Sequence, residues 1–403
     1  MRPLVLVAGI LCISTVLFDA FQTIILPRRA TGRFRLTRLF YIATWYPWGF
    51  FARRFHHPRR REILLGYYGP LSLILLLVVW AAVMVLGFAS IYFAIGSPFN
   101  DPSQPANFHT DLYVSGTTIF TLGLGDVTPH TPLARVLLIL QSGMGFGFLA
   151  MVMGYFPVLY SAFSRREVSI SLLDARAGSP PTSAELLRRH SSDSAAQSLS
   201  TLLVEWERWS AELLESHISY PLLCYYRSQH NSQSWLSALT AILDTSSLLI
   251  AGVRGLEARQ AQLTFAMARH ALVDLSQIFN LRPVADAPDR LPPARCRELY
   301  DMLTASGVNL CYDDSSRERL RQMRALYEPY AETLSRFLLM PLPQWFSDQP
   351  RKDNWQTVAR LRAQTEATDP ADPTPAFADP TRDVSAANPA TSSPAAHDHP
   401  HDF

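Results

Sequence analysis

Six residues, Thr121-Leu122-Gly123-Leu124-Gly125-Asp126, alternate glycine with leucine between two polar ends, inside an otherwise apolar region. Glycine accepts backbone dihedrals that an ordinary L-residue resists, so Gly123 and Gly125 allow consecutive carbonyls to point the same way. Four such strands around one axis form stacked rings of oxygen that replace the water of a dehydrated cation. That chemistry uses backbone, and irregular backbone is tolerated at membrane depth only where it lines a water-filled path. The segment before it, Asp111 to Phe120, is too short to span a bilayer and reads as a half-helix, with Thr110 or Asp111 as N-cap. The C-terminal carbonyls of such a helix present a negative dipole to a cation.

The elements that must position this stretch are long and apolar. Leu4 to Leu26, Ile63 to Ile95 and Pro132 to Phe163 are each long enough to cross roughly 30 Å of hydrocarbon. Leu39 to Phe51, only 13 residues, is too short to cross; aromatic and flanked by arginine, it is expected to lie in the interface. Residues 28–61 hold ten arginines and no acidic residue, which should stay cytoplasmic. The N-terminus is then outside, and the glycine-spaced stretch enters from the outer face of the cell (inner or plasma) membrane. The first span is not read as a cleaved leader, because Arg2 is its whole charged region and no small-x-small site follows.

At these residues the chain resembles the potassium-channel family, specifically bacterial channels with one pore loop per subunit. The resemblance rests on Thr117, Thr118 and then "TLGLGD", followed by Pro129 and the next span, and covers roughly residues 63–165. It implies potassium as the permeant ion, coordinated by the carbonyls of Thr121, Leu122, Gly123 and Leu124, with Gly125 and Asp126 at the filter mouth. Two positions depart from the family: Leu122 stands for the common valine and Leu124 for the common tyrosine, whose hydroxyl braces the filter from behind. One pore loop cannot close a fourfold ring, so a homotetramer is expected.

In the third span, Gly145 lies where the family keeps its gating-hinge glycine, while Gly143 and Gly147 form a G-x-x-x-G packing pattern. Pro157 cannot donate to the carbonyl of Met153 and is expected to bend the helix. Helical spacing places Phe146, Ala150 and Met153 on one face, read as cavity lining. Asp19, inside the first span, is expected to pair with an interfacial arginine such as Arg28 or Arg29, a functional role being the alternative. Arg59, Arg60 and Arg61 are expected to meet anionic lipid headgroups.

Beyond Ser164 the inner helix is expected to continue to the Gly178-Ser179-Pro180-Pro181 break. A capping box at Thr182 and Glu185 then restarts a helix. Amphipathic runs at about 197–217, 233–254, 256–279, 291–305 and 315–338 predict an all-α domain. The run around Asp244 is apolar enough to suggest a further span, but its hydroxyl residues favour a buried helix with a satisfied aspartate. The prolines, alanines and acids of 366–403 predict a disordered tail, its "HDHPHDF" end a solvated one rather than a metal site.

The expected organisation is therefore a first transmembrane helix (1–27) and a basic cytoplasmic loop with an interfacial helix (28–62). A pore domain (63–165), a linker (166–200), a helical cytoplasmic domain (201–345) and the tail (366–403) follow. The fold class is an all-α membrane protein: three transmembrane helices with a re-entrant pore helix and selectivity-filter loop, plus an all-α cytoplasmic domain. Among 403 residues at net charge +2, arginine richness is general, with Lys352 the single lysine, and does not suggest nucleic acid. Four scattered cysteines indicate neither a disulfide framework nor a metal site. No phosphate loop, metalloprotease helix or nucleophile elbow is present, so an enzyme is not expected. Two other readings stay open, a weakly selective cation channel and a membrane-anchored signalling or scaffold protein with a relic pore.

Overall fold

Leu4 to Leu26, apolar but for a few polar residues, folds as α1 (Arg2–Ala20) with a final π turn (Phe21–Ile25). In this computed structural model, residues 1–26, 35–102, 105–191, 195–229, 233–252, 256–284, 286–308 and 310–347 are described. Helix α2 is Leu36–Arg53, and α3 is Pro58–Ala94, started by Pro58 at its first turn. A two-residue strand β1 (Phe99–Asn100), a short helix α4 (Phe108–Ile119) and strand β2 (Thr128–Pro129) lead into α5, which runs from Pro132 to Ala177. Met1–Trp355 form one compact unit. The tail expected at 366–403 lies outside the described residues.

Among the described residues four helices are long and apolar enough to cross a membrane: Arg2–Ile25, Pro58–Ala94, Pro132–Ala177 and Trp235–Gly252. The last has 94% of its apolar window buried by protein, as expected for the run holding Asp244. Helices α1 and α3 cross at small residues. A Cβ on Gly9 would stand 2.6 Å from the Gly87 carbonyl oxygen, and one on Gly87 would stand 2.7 Å from Ile13. Asp19 sits on this interface, accepting from Trp80 Nε1 at 3.0 Å and from the Thr37 amide at 3.0 Å. Its second oxygen lies 3.8 Å from Arg35 Nε. The carboxylate thus meets an arginine, as expected; Arg28 and Arg29, named as examples for that pairing, lie outside the described residues.

Helix α2 corrects the sequence reading. It has 18 residues, not 13, and one of its faces packs against protein. One face, with Phe40, Trp45, Gly49 and Ala52, is buried, while Ile42, Tyr46, Phe50 and Phe51 remain exposed. Trp45 donates to the Phe337 carbonyl at 3.1 Å, and Trp48 to that of Leu64 at 3.2 Å. Aromatic composition alone does not tell a lipid-facing ring from one held in a protein junction.

The described residues of 166–200, assigned to a linker, are largely helical, and the helix continues and restarts where the sequence suggests. Helix α5 runs to Ala177 and ends at Gly178, whose φ of +82° suits glycine. Thr182 then caps α6 (Ser183–Arg189), accepting from the Glu185 amide at 3.2 Å. Helices α7 (Ala195–Ser219), α8 (Trp235–Gly252) and α9 (Leu256–Ile278) follow the expected runs closely. Helix α10 is Pro293–Ala305. The run expected at 315–338 divides into α11 (Asp314–Ala325) and α12 (Glu328–Leu338), because Pro329 fits a helix only in its first turn. The core is continuous from Trp45, Leu65 and Tyr68 through Tyr155 and Phe163 to α8, so the helical domain packs directly on the ends of α2, α3 and α5.

Candidate functional site

The site is built on α4. Asn107, not Thr110 or Asp111, caps it: Asn107 Oδ1 accepts from the amides of His109 at 2.8 Å and Thr110 at 3.3 Å, and Thr110 Oγ1 accepts back from the Asn107 amide. The helix therefore starts three residues before the expected Asp111. Asp111 is buried and takes a 2.7 Å hydrogen bond from Ser97 Oγ.

Two long helices clamp α4 from either side. Ser115 Oγ donates to the Val85 carbonyl of α3 at 2.8 Å. From α5, Gln141 Nε2 donates to the Ser115 carbonyl at 2.9 Å and to its hydroxyl at 2.7 Å. Tyr92 Oη completes the chain by donating to Gln141 Oε1 at 2.7 Å. Ser115, Gln141 and Tyr92 are fully buried, where an unpaired amide would be costly. Lower on α5, a Cβ on Gly145 would stand 2.3 Å from the Ile119 carbonyl oxygen. The glycine lets the end of α4 lie directly on the inner helix. Gly143 and Gly147 have no atom within 4 Å of such a position, so their spacing serves no packing within one chain.

Where α4 ends the backbone changes character. The amides of Phe120, Thr121 and Leu122 still turn back to Gly116, Thr118 and Thr117 at 3.1, 3.1 and 2.8 Å. Thr121, Gly123 and Gly125 then adopt φ of +55°, +56° and +77°, with Leu122 and Leu124 between them outside that region. This alternation turns successive peptide planes alike, as the glycine spacing suggests. For Thr121 it is an outlier that a β-branched residue adopts only when held there. At the far end of the stretch, Tyr113 Oη donates to Asp126 Oδ2 at 2.7 Å. Antiparallel pairing of Phe99 with Pro129 and Asn100 with Thr128 closes the surrounding loop.

The segment from Phe120 to Asp126 is uncovered by its own chain, with Leu122 and Leu124 about 62% and 63% exposed. Phe146, Ala150 and Met153 are exposed along one face of α5. The helix continues without interruption through Pro157. Arg59 and Arg60 are exposed at the start of α3, and Arg61 is half-buried.

Sequence reasoning did not anticipate how the helical domain grips α5. Arg166 is buried and donates to the carbonyls of Leu223 at 2.9 Å and Tyr226 at 3.1 Å, and to Glu167 Oε1 at 2.9 Å. Its Nη1 also meets His217 Nε2 at 3.2 Å. His217 Nδ1 faces the Leu213 carbonyl at 2.8 Å; since a carbonyl only accepts, Nδ1 carries the proton and Nε2 accepts from Arg166. Burial, with the Arg166 guanidinium beside it, holds the His217 imidazole well below its ordinary pKa. In the same domain Asp244 is a satisfied core carboxylate, as expected: Arg290 binds both its oxygens, at 3.0 and 2.6 Å, and Tyr327 Oη donates to it as well.

Residues 80–161 match a family model described as an ion channel. This match supports an ion-channel family for that segment. The match runs from Trp80 in α3 to Ser161 in α5 and contains α4 and the whole glycine-spaced stretch. The chain is also 27% identical over 184 residues to "Uncharacterized membrane protein YdjJ" of Bacillus subtilis (strain 168). That alignment covers 45% of this chain and 52% of the relative, so the chain spans about half the length of the curated relative it matches. No solved structure matches. Apolar helices, the ion-channel domain and a membrane-protein relative together support an all-α membrane protein.

Proposed function

We propose that the chain is a passive, potassium-selective channel of the cell membrane, assembled as a homotetramer. The observation that carries this reading is the alternating handedness of Thr121, Gly123 and Gly125 directly after a short helix held between two apolar ones. In the tetramer the carbonyls of Thr121, Leu122, Gly123 and Leu124 replace the ion's water, with the Thr121 hydroxyl at the inner end. Gly125 and Asp126 form the mouth. Phe146, Ala150 and Met153, uncovered in one chain, line the cavity below it. The inner helix flexes near Gly145 or Pro157, and Arg166 links that motion to the helical domain. Arg59, Arg60 and Arg61 meet anionic headgroups, with the helical domain on the cytoplasmic side.

The Tyr113–Asp126 hydrogen bond favours selectivity over a loose cation path, because it braces the mouth although Leu124 lacks a hydroxyl. Growth of a potassium-uptake-deficient bacterium tests the reading. Expression of the full chain should restore growth at limiting potassium, and the Gly123→Val variant, produced to the same level, should not. Restoration by neither, or equally by both, overturns it.

A further inference from the structure

A cavity of about 810 Å³ lies where the membrane helices meet the helical domain. It is bounded by the end of the first span, α2, the middle of α3, Tyr155 of α5 and the end of α9. We propose that it is a binding site for one anionic phospholipid, drawn from the leaflet on the helical-domain side. Its size falls in the range of small-molecule sites, roughly 300–1,000 Å³.

Three features select this occupant. The wall is apolar and aromatic, with Tyr41, Trp45, Leu77, Trp80 and Phe279 among its residues, which suits an acyl chain. The rim includes Ile42 and Tyr46, about 46% and 63% exposed on the outward face of α2, so the opening meets lipid and favours side entry over a water-soluble ligand. Among the described lining residues the positive charges are Arg35, which already faces Asp19 at 3.8 Å, and the exposed Arg38. Arg35 also donates through Nη2 to Thr23 Oγ1 at 2.9 Å, so the free guanidinium is that of Arg38, which makes no hydrogen bond or ion pair among the described residues. A guanidinium presents a fork of donors that matches phosphate oxygens. One carboxylate, Asp274, also lines the cavity, with His270 Nε2 3.6 Å from its Oδ2. A lipid seated here touches α3, α5 and the helical domain together, and so favours the arrangement in which they are packed.

Native mass spectrometry of the detergent-purified full chain tests the site, with phosphatidylglycerol, phosphatidylcholine and palmitate added separately. Phosphatidylglycerol should be retained at least tenfold more tightly than phosphatidylcholine. Arg38→Gln should remove that preference, and Leu77→Trp, which fills the cavity, should remove the tight adduct. Each variant is first checked for an unchanged melting temperature without lipid. Should Arg38→Gln fail to fold, Leu77→Trp alone decides. Equal retention of both phospholipids, preferential retention of palmitate, or tight phosphatidylglycerol binding by Leu77→Trp would overturn the proposal. Binding is read without ion flux, so failure here and failure of the conduction reading are distinguishable.

Discussion

At Gly123 the constraint is conformational. A Cβ there would meet no atom within 4 Å beyond its chain neighbours, so steric crowding by the subunit itself is not what selects glycine. What remains is φ of +56°, a left-handed conformation that costs an ordinary residue roughly 1–2 kcal/mol and a β-branched one more. Gly123→Val should therefore twist the strand and abolish potassium flux while leaving the melting temperature of the helical domain unchanged. Retained, selective flux in this variant would show that the carbonyls are not the ligands. Tyr113→Phe should keep flux but lower the potassium-to-sodium ratio several-fold, read from reversal potentials in planar bilayers. An unchanged ratio would show that the hydroxyl on Asp126 does not brace the mouth. The glycines were legible because their chemistry lies in their own backbone. Tyr113 was not, since nothing local connects it to an aspartate 13 positions away. Thr121 was legible as a candidate ligand but not as a left-handed residue, because threonine rarely adopts that conformation.

Among elements, the crossing of α4 on α5 is the tightest constraint. Gly145→Ala would drive its Cβ into the Ile119 carbonyl, and overpacking of this kind typically costs about 1–3 kcal/mol. The variant should melt several degrees lower and conduct poorly, whereas Gly147→Ala should leave the melting temperature of the subunit unchanged. Equal behaviour of the two would refute the crossing. Between α5 and α7, the Arg166–His217 contact predicts a pH dependence. His217 is held neutral in the fold, below its ordinary pKa of 6.5, so below that pH the unfolded chain binds a proton that the folded chain refuses. Its contribution to stability is present above 6.5 and is lost as pH falls toward the depressed folded value. Thermal melts from pH 7.5 to 5.0 should show this loss, and His217→Gln, which keeps a donor and an acceptor, should flatten it. Unchanged steepness in the variant would assign the acid limb elsewhere. The helices of the domain were visible as amphipathic runs, with Pro329 marking the division of α11 from α12. Gly9 against Gly87 was not visible, because a helix crossing requires knowing which helices meet.

For the whole molecule, one compact unit joins the membrane helices to the helical domain through a shared core. Ending the chain after Ala177 should uncover Trp45, Leu65, Tyr68 and Tyr155 and give aggregated protein by size-exclusion chromatography. A well-behaved truncated chain would show that the two parts fold separately. The membrane frame was readable from apolar length, and the helical domain from its periodicity. The purpose of that domain was not, since what ties it to α5 is packing and a buried arginine rather than a recognisable motif. The most direct measurement is ion flux into liposomes holding the purified full chain, with matched potassium and sodium gradients and light-scattering mass of the same sample. A fourfold mass, with potassium entering far faster than sodium and Gly123→Val silent, is the expected result. Equal entry of the two ions, or no entry at any protein density, would contradict a potassium path through the carbonyls of residues 121 to 124.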